Sequence, residues 1–197
     1  MLVSSYSSSD VEMISVETPY QGYLSIRLCR FRYRLFEGGW SDVVERELLV
    51  RGDTVAVLLY DPEKDAVVLV EQIRIGARDD AVSPWQFELV AGVVEQEENA
   101  VDVAVRETQE EAGVSIVNPR LLFRYYSTPG IADETTSLFY AELDSDLASG
   151  IHGLKEENED IKVHVLSRQE ALSMCYEGRF SNAHVILGLH WLELSLR

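Results

Sequence analysis

The chain has 197 residues, 46% of them apolar, with 17 basic against 34 acidic side chains and a formal charge of −17. Length and composition suit one globular domain plus a smaller appendage, with apolar content for a sizeable core. A surface this acidic repels phosphate backbones and anionic headgroups, so it argues against nucleic acid and membrane as partners and suits a protein that gathers divalent cations on carboxylate oxygens.

The first ten residues, MLVSSYSSSD, hold no basic patch and no apolar run of signal-peptide length, and their serines predict poor order. From Tyr23 to Leu35 polar and apolar residues alternate, with Arg30, Arg32 and Arg34 opposite Phe31, Tyr33 and Leu35, and the phase slips near Leu28–Cys29, which predicts a bulge there. The arginine row reads as a solvated strand face or an interface, or else as a nucleic-acid stripe. Glu37-Gly38-Gly39 turns the chain and Val43–Val50 returns it as a hairpin. Residues 1–50 are therefore expected to form an amino-terminal β subdomain, and 51–197 a second domain.

After Arg51-Gly52-Asp53, two β-prone runs, Thr54–Tyr60 and Ala66–Arg74, flank the turn Asp61–Asp65, and Trp85–Ala91 is a further strand. No apolar run approaches the roughly 20 residues that span a bilayer. Asn99–Ala112 is the clearest helix: Val101, Val105, Thr108 and Ala112 share one side, Asn99 is its N-cap and Gly113 its left-handed stop. Arg120–Ser127 and Thr136–Leu143 read as strands, 144–160 as a long polar stretch, and Ile161–Leu166 as a strand. Ser167 caps a helix through Met174, and Asn182–Leu196 is an apolar helix. Strands punctuated by helices predict an α/β (α+β) fold, a mixed sheet sandwiched between helices. Cys29 and Cys175 sit in no CxxC pattern, which points to a reducing compartment and a cytoplasmic protein.

Chemistry concentrates in Gly92–Val114, GVVEQEENAVDVAVRETQEEAGV. Glu107 and Glu111, four residues apart, project about 40° from each other on adjacent turns. Like charges at this spacing weaken a helix unless a hard cation sits between them. Arg106 can hold a neighbouring carboxylate in a bidentate pair, and Glu98 complements the helix dipole. From helix geometry alone, these acids read more readily as a solvated face.

The full spacing resembles the Nudix box, G-x5-E-x7-R-E-U-x-E-E-x-G-U: Gly92, Glu98, Arg106-Glu107, Glu110-Glu111 and Gly113-Val114 fill it, with Thr108 where the family carries a bulky aliphatic. The resemblance implies the Nudix fold and metal-dependent hydrolysis of a nucleoside diphosphate linked to another group. Glu107 and Glu111 would be metal ligands, joined by the backbone oxygen of Ala91, with Mg²⁺ or Mn²⁺ as the ion; Arg106 and Glu110 would belong to the catalytic set. Pro129, fifteen residues after Val114, and the stretches Gln72-Ile73-Arg74, Pro84-Trp85, Glu88–Gly92, Ser127–Gly130 and EENEDIKVHV are similar to the ADP-ribose pyrophosphatase branch of that family. That similarity implies cleavage of ADP-ribose to AMP and ribose 5-phosphate by a homodimer whose amino-terminal strands are exchanged. Tyr23 and Leu24 would contact the partner's adenosine, and Arg46 and Glu47 would reach across the interface. Arg51, Arg74, Val93, Thr128, Pro129, Gly130 and Glu134 would line the site in their own subunit. By the same resemblance Glu157 would deprotonate the attacking water and Glu159 would help hold a metal. His152 is nearby and receives no role. GDP-mannose or an ADP-hexose is the alternative substrate, and a binding module that has lost activity is a third reading, opposed by the intact acids of the box.

Overall fold

The computed structural model describes residues 3–197. It divides into two compact units, Met1–Gly52 with Tyr126–Thr135, and Asp53–Tyr125 with Thr136–Arg197.

The first unit is a three-stranded antiparallel sheet of β1 (Val11–Gln21), β2 (Ser25–Tyr33) and β3 (Val44–Val50), with β2 central. β1 was not among the expected elements. Its Pro19 lacks the N–H that a central strand needs, and β1 tolerates it by pairing on one side only. Its register against β2 shifts between Met13 and Ser15 and again between Glu17 and Tyr20. β2 runs unbroken through Leu28 and Cys29 opposite Glu47 and Arg46. The bulge expected at Leu28–Cys29 thus falls on the neighbouring strand, where surplus residues absorb the mismatch. The serine-rich start is also more structured than its composition suggests: the Ser7 hydroxyl and the Asp10 carboxylate cap each other's backbone and close a helical turn over Ser8–Asp10. Arg30 pairs with Glu17 at 2.9 Å and Glu45 at 2.6 Å, and Arg32 with Glu12 at 2.6 Å. Arg32 and Arg34 stack on Trp40. Arg30 and Arg32 are thus neutralised on a solvent-facing sheet surface, where such pairs add little stability.

The second unit is built on an eight-stranded sheet. Its strands are β4 (Asp53–Asp61), β5 (Ala66–Ile73), β6 (Trp85–Glu88), β7 (Val90–Val93), β8 (Arg120–Tyr126), β9 (Thr135–Glu142), β10 (Ile151–His152) and β11 (Ile161–Ser167). The order is β10-β11-β5-β4-β9-β8, with β6 also on β5 and β7 on β4. Three helices, α1 (Ala100–Ala112), α2 (Arg168–Tyr176) and α3 (Ala183–Ser195), cover it. The uninterrupted apolar run of β4 follows from burial on both faces. Val55, Val57 and Leu59 pack with Val103, Ala104 and Ala112 of α1. Ala56, Leu58 and Tyr60 pack with Ala171 and Leu172 of α2 and Val185, Leu189 and Leu192 of α3. Each large aliphatic side chain so buried contributes about 1.5–3 kcal/mol. The sheet between helices is the expected arrangement.

Three details differ from expectation and matter for the site. The strand expected over Trp85–Ala91 breaks at Leu89: β6 pairs β5, with Trp85 opposite Ile73, and β7 pairs β4, with Val90 opposite Val57. The chain steps between two neighbours, which separate a single-strand reading cannot foresee. α1 starts and stops as expected, the Asn99 side chain accepting from Val101 N–H at 2.9 Å and Gly113 taking φ 71°. Its buried side, however, comprises Val103, Ala104, Thr108, Glu111 and Ala112, while Val101 is exposed. A carboxylate has taken a core-facing position, so apolar periodicity misplaced the stripe. The third difference is the polar stretch 144–160, which contains two short helical turns, Ser145–Leu147 and Lys155–Glu157, and the strand β10. Among the described residues, no helix is long and apolar enough to cross a membrane.

Candidate active site

The catalytic candidates are assembled around α1 and β7 in the second unit. The Ala91 N–H donates to Glu111 Oε2 at 3.0 Å, fixing that carboxylate against β7. Gln72, buried on β5, donates Nε2–H to the other oxygen at 3.4 Å. Glu107, one helical turn earlier, lies against Gly92, and a Cβ there would overlap its carboxylate. The box glycine is required here for close approach of backbone to side chain. Thr108, at the position of the family's aliphatic, donates its hydroxyl to Ala104 O at 2.7 Å, so the polar atom is satisfied inside the core.

Arg106 gathers the other acids of the box. Its Nη1 lies 2.9 Å from Glu107 Oε1 and 3.0 Å from Glu110 Oε2, and its Nη2 lies 3.6 Å from Glu98 Oε1. Glu98 also accepts from Glu95 N–H at 2.9 Å, closing the loop that leads into α1. One guanidinium thus couples the loop to the helix.

Electrostatics mark the pair. Burial pushes the Glu111 carboxyl from 4.5 up to about 8, partly opposed by the Ala91 hydrogen bond and reinforced by the charge of Glu107. Burial pushes Glu107 up to about 7, partly opposed by Arg106 and reinforced by Glu110 and Glu159. Two carboxylates this reluctant to ionise need a cation to be charged together at neutral pH. Their oxygens are hard donors, and Gly92 lets the Glu107 carboxylate approach β7 beside Glu111, so the residues fit a divalent ion of the Mg²⁺ type. Among the described residues no group of three or more His, Cys, Asp or Glu side chains is gathered closely enough to hold a metal by itself. Glu159, the expected third acid, instead accepts from Leu154 N–H at 3.1 Å within its own loop. Mg²⁺ is compatible with this, because it commonly takes one or two carboxylates and fills its shell with water and substrate phosphate.

The loop of Glu157 and Glu159 is tied to α1: Gly153 N–H donates to Glu110 O at 3.1 Å. The ring of His152 packs where a Gly113 Cβ would stand, and its Nε2 is 2.7 Å from Ser149 O. That histidine shapes the loop's approach to α1. Glu157 closes the turn Lys155–Glu157 and is exposed, followed by Asn158 in left-handed conformation (φ 57°).

The anionic partner that Arg74 requires is Glu88. Arg74 Nε lies 3.0 Å from each oxygen of that carboxylate and Nη2 lies 2.7 Å from Oε2. Glu88 is 5% exposed and the Arg74 side chain is 47% exposed, so the guanidinium sits at the rim. It lies within electrostatic reach of Glu111 and Glu159. Val93 continues β7 beyond Gly92, opposite Thr54.

The remaining candidates lie in the first unit. Arg51 Nε is 3.4 Å from Glu134 Oε2, so two expected substrate contacts face each other. Asp133 fixes their turn by accepting from the N–H groups of Arg51 (2.7 Å) and Gly52 (3.1 Å). Thr128 O accepts from Ile131 and Ala132, leaving Pro129 and Gly130 at the tip of an exposed turn. Tyr23 is 89% exposed in the β1–β2 turn, which also holds Leu24. Arg46 and Glu47 lie on β3, Arg46 donating to Glu45 O at 2.7 Å. The expected catalytic and metal residues therefore share one unit with Arg74 and Val93, and the other substrate candidates share the other. Gln72, Glu88, Asn182 and Asp133, which hold candidates in place, carried no role in the sequence reading. The signals were the stretches Gln72-Ile73-Arg74 and Glu88–Gly92 for Gln72 and Glu88, and the start of the last helix for Asn182; Asp133 had none.

Residues 50–187 match the family model described as NUDIX domain. The chain is 45% identical over 196 residues to an ADP-ribose pyrophosphatase of Haemophilus influenzae, covering 98% of this chain and 90% of that protein. It is 46% identical over 189 residues to an ADP-ribose pyrophosphatase of Escherichia coli K12, covering 96% and 90%. A GDP-mannose pyrophosphatase of Escherichia coli O1:K1 is 33% identical over 153 residues, covering 77% and 78%. Among solved structures, one described as an ADP compounds hydrolase shares the fold at a TM-score of 0.72 and 17% identity, over 98% of this chain and 97% of that one.

Proposed function

The chain belongs to the NUDIX family, and from that premise we propose that it hydrolyses the pyrophosphate bond of ADP-ribose to AMP and ribose 5-phosphate with a divalent cation, Mg²⁺ or Mn²⁺. The observation that carries the reading is the pair of carboxylates one helical turn apart, half-buried Glu107 against Gly92 and buried Glu111 on the Ala91 N–H. The substrate follows from near full-length similarity to proteins named ADP-ribose pyrophosphatase, against lower identity over a shorter span to the GDP-mannose enzymes.

A diphosphate resists water because its own charge repels nucleophiles. A divalent cation neutralises those oxygens and acidifies water. The chain's residues supply the rest. Glu107 and Glu111 would hold the ion, with the Ala91 carbonyl and, once released from Leu154 N–H, Glu159 as further ligands, and Arg106 keeps Glu107 and Glu110 from rotating. Arg74 meets a substrate phosphate from the rim. Glu157 takes the proton of the attacking water as one P–O bond of the bridge breaks and the water oxygen joins phosphorus. Val93, next to the box glycine, lines the nucleotide pocket.

The enzyme acts as a homodimer in the cytoplasm. β1 leaves Val11, Met13, Ile14, Val16 and Tyr20 exposed, more apolar surface than a single sheet edge normally shows to water. Tyr23, Leu24, Arg46 and Glu47 then serve the partner's site, and light scattering should give twice the 22.3 kDa chain mass. Free Cys29 and Cys175 suit a reducing compartment.

A substrate panel tests the reading: ADP-ribose, ADP-glucose and GDP-mannose, each with Mg²⁺ and with EDTA. ADP-ribose should give the highest kcat/KM, abolished by EDTA. Preference for GDP-mannose, or turnover indifferent to chelation, overturns it.

A further inference from the structure

Two distant parts of the second unit meet at the carboxylate of Glu88. Arg74, at the end of β5, grips it through Nε and Nη2. From 94 residues further along, the Asn182 side chain donates Nδ2–H to Glu88 Oε1 at 3.1 Å. The orientation of that amide is fixed by its other end. Asn182 is the N-cap of α3, and its Oδ1 accepts from the backbone N–H of His184 at 2.9 Å and Val185 at 3.3 Å. An amide whose oxygen is committed to N–H donors can present only its NH₂ to a carboxylate. Beside it the Ser181 hydroxyl bonds Gln86 Oε1, while Gln86 Nε2 donates to Ser83 O at 2.8 Å. The start of α3 is thus fastened to β6 at Gln86 and Glu88, two residues apart on one side of the strand.

We infer that Asn182 is a positioning residue for Arg74: it holds Glu88 in one rotamer and so fixes the guanidinium at the rim of the carboxylate site. The physical reason is that Glu88 is almost wholly buried, where a carboxylate oxygen without its second donor is costly and turns toward whatever donor is near. The nearest is Arg74 itself. Removing the Asn182 amide lets Glu88 rotate into Arg74 and draw the guanidinium away from an incoming phosphate. The helix cap and the Glu88 contact belong to opposite ends of one side chain, so substitution can separate them.

Asn182→Ser keeps a capping oxygen and loses the donor. Asn182→Asp keeps an equally good cap and sets a carboxylate against Glu88. Both keep the cap of α3, so helix content should be unchanged, while Tm should fall by a few degrees in Asn182→Ser and further in Asn182→Asp as buried Glu88 loses its donor. The Arg74 Nε–H resonance, identified by its loss in Arg74→Lys, should shift in both variants. KM for ADP-ribose should rise about fivefold to tenfold in Asn182→Ser and further in Asn182→Asp, with kcat changed less. In a Glu88→Gln background the Asn182→Ser change should have no further effect on KM. An unshifted Arg74 signal in both variants, or a KM effect undiminished in the Glu88→Gln background, overturns the inference. The kinetic arm rests on the ADP-ribose reading and the resonance does not. Failure of the wild type to cleave ADP-ribose removes that reading, while the Arg74 signal still decides the role of Asn182.

Discussion

Gly92 and Glu107 occupy what would be the same space if residue 92 carried a side chain, because a Cβ there would overlap the Glu107 carboxylate. The Glu107 carboxylate therefore rests on bare backbone of the strand that carries the box glycine.

Gly92→Ala should thus act as a site mutation. The Glu107 side chain must move off residue 92, and with it a proposed ligand of the cation. Overpacking of this size costs about 1–3 kcal/mol of stability, so the protein should fold. Calorimetry should show Mg²⁺ affinity down by tenfold or more, with kcat falling in parallel. Unaltered Mg²⁺ binding would contradict the contact.

Glu111→Gln should separate stability from activity. Burial raises the Glu111 carboxyl to about 8, so ionising it inside the protein is unfavourable in the absence of a cation. The neutral isostere removes that penalty. In EDTA at pH 8 its Tm should equal or exceed wild type, whereas Mg²⁺ should raise the wild-type Tm and leave the variant unchanged. Turnover should fall by about three orders of magnitude. Mg²⁺ stabilisation equal to wild type would take Glu111 out of the ligand set.

Glu157→Gln tests the proposed base. Glu157 is exposed at the end of its turn and makes no part of the core, so the fold should be unaffected. General-base catalysis contributes typically about 10²–10⁴-fold, which should appear in kcat with KM little changed. If Glu159→Gln lowers kcat more while leaving metal affinity intact, the base is Glu159.

Asp61 predicts the acid limb of stability. Its carboxylate accepts from Ser145 N–H (2.9 Å), Ser145 Oγ (2.7 Å), Glu63 N–H (3.0 Å) and Lys64 N–H (3.1 Å). The Ser145 bonds foremost hold it well below its ordinary value of 3.8. A group depressed in the folded state contributes stability that is complete above its unfolded value and is lost as pH falls toward the folded one. Asp61→Asn should lower Tm at pH 7, and the gap to wild type should narrow below about pH 4. A gap constant from pH 7 to pH 2 would show that the charge is irrelevant.

Local spacing made the catalytic motif legible. Asn99, Gly113, Glu107 and Glu111 lie within one helix and its caps, where 3.6-residue geometry alone sets who neighbours whom, and each stands where the pattern placed it. The two-faced burial of β4 was equally readable from its unbroken apolar run. What failed did so where a partner strand decided the outcome. The bulge moved from Leu28 to β1, Trp85–Ala91 split at Leu89, and the stripe of α1 turned toward Glu111 at the expense of Val101.

By itself, the sequence determined the family motif, the fold class and the carboxylates of α1, since these depend on residues few positions apart. The tertiary structure alone decided that Gly92 makes room for Glu107, that Ala91 N–H and Gln72 hold Glu111, and that Asn182 reaches Glu88 to complete the setting of Arg74. Those contacts join residues about 15 to 94 positions apart. No local periodicity encodes them, because they exist only once the sheet has brought its strands and helices into register.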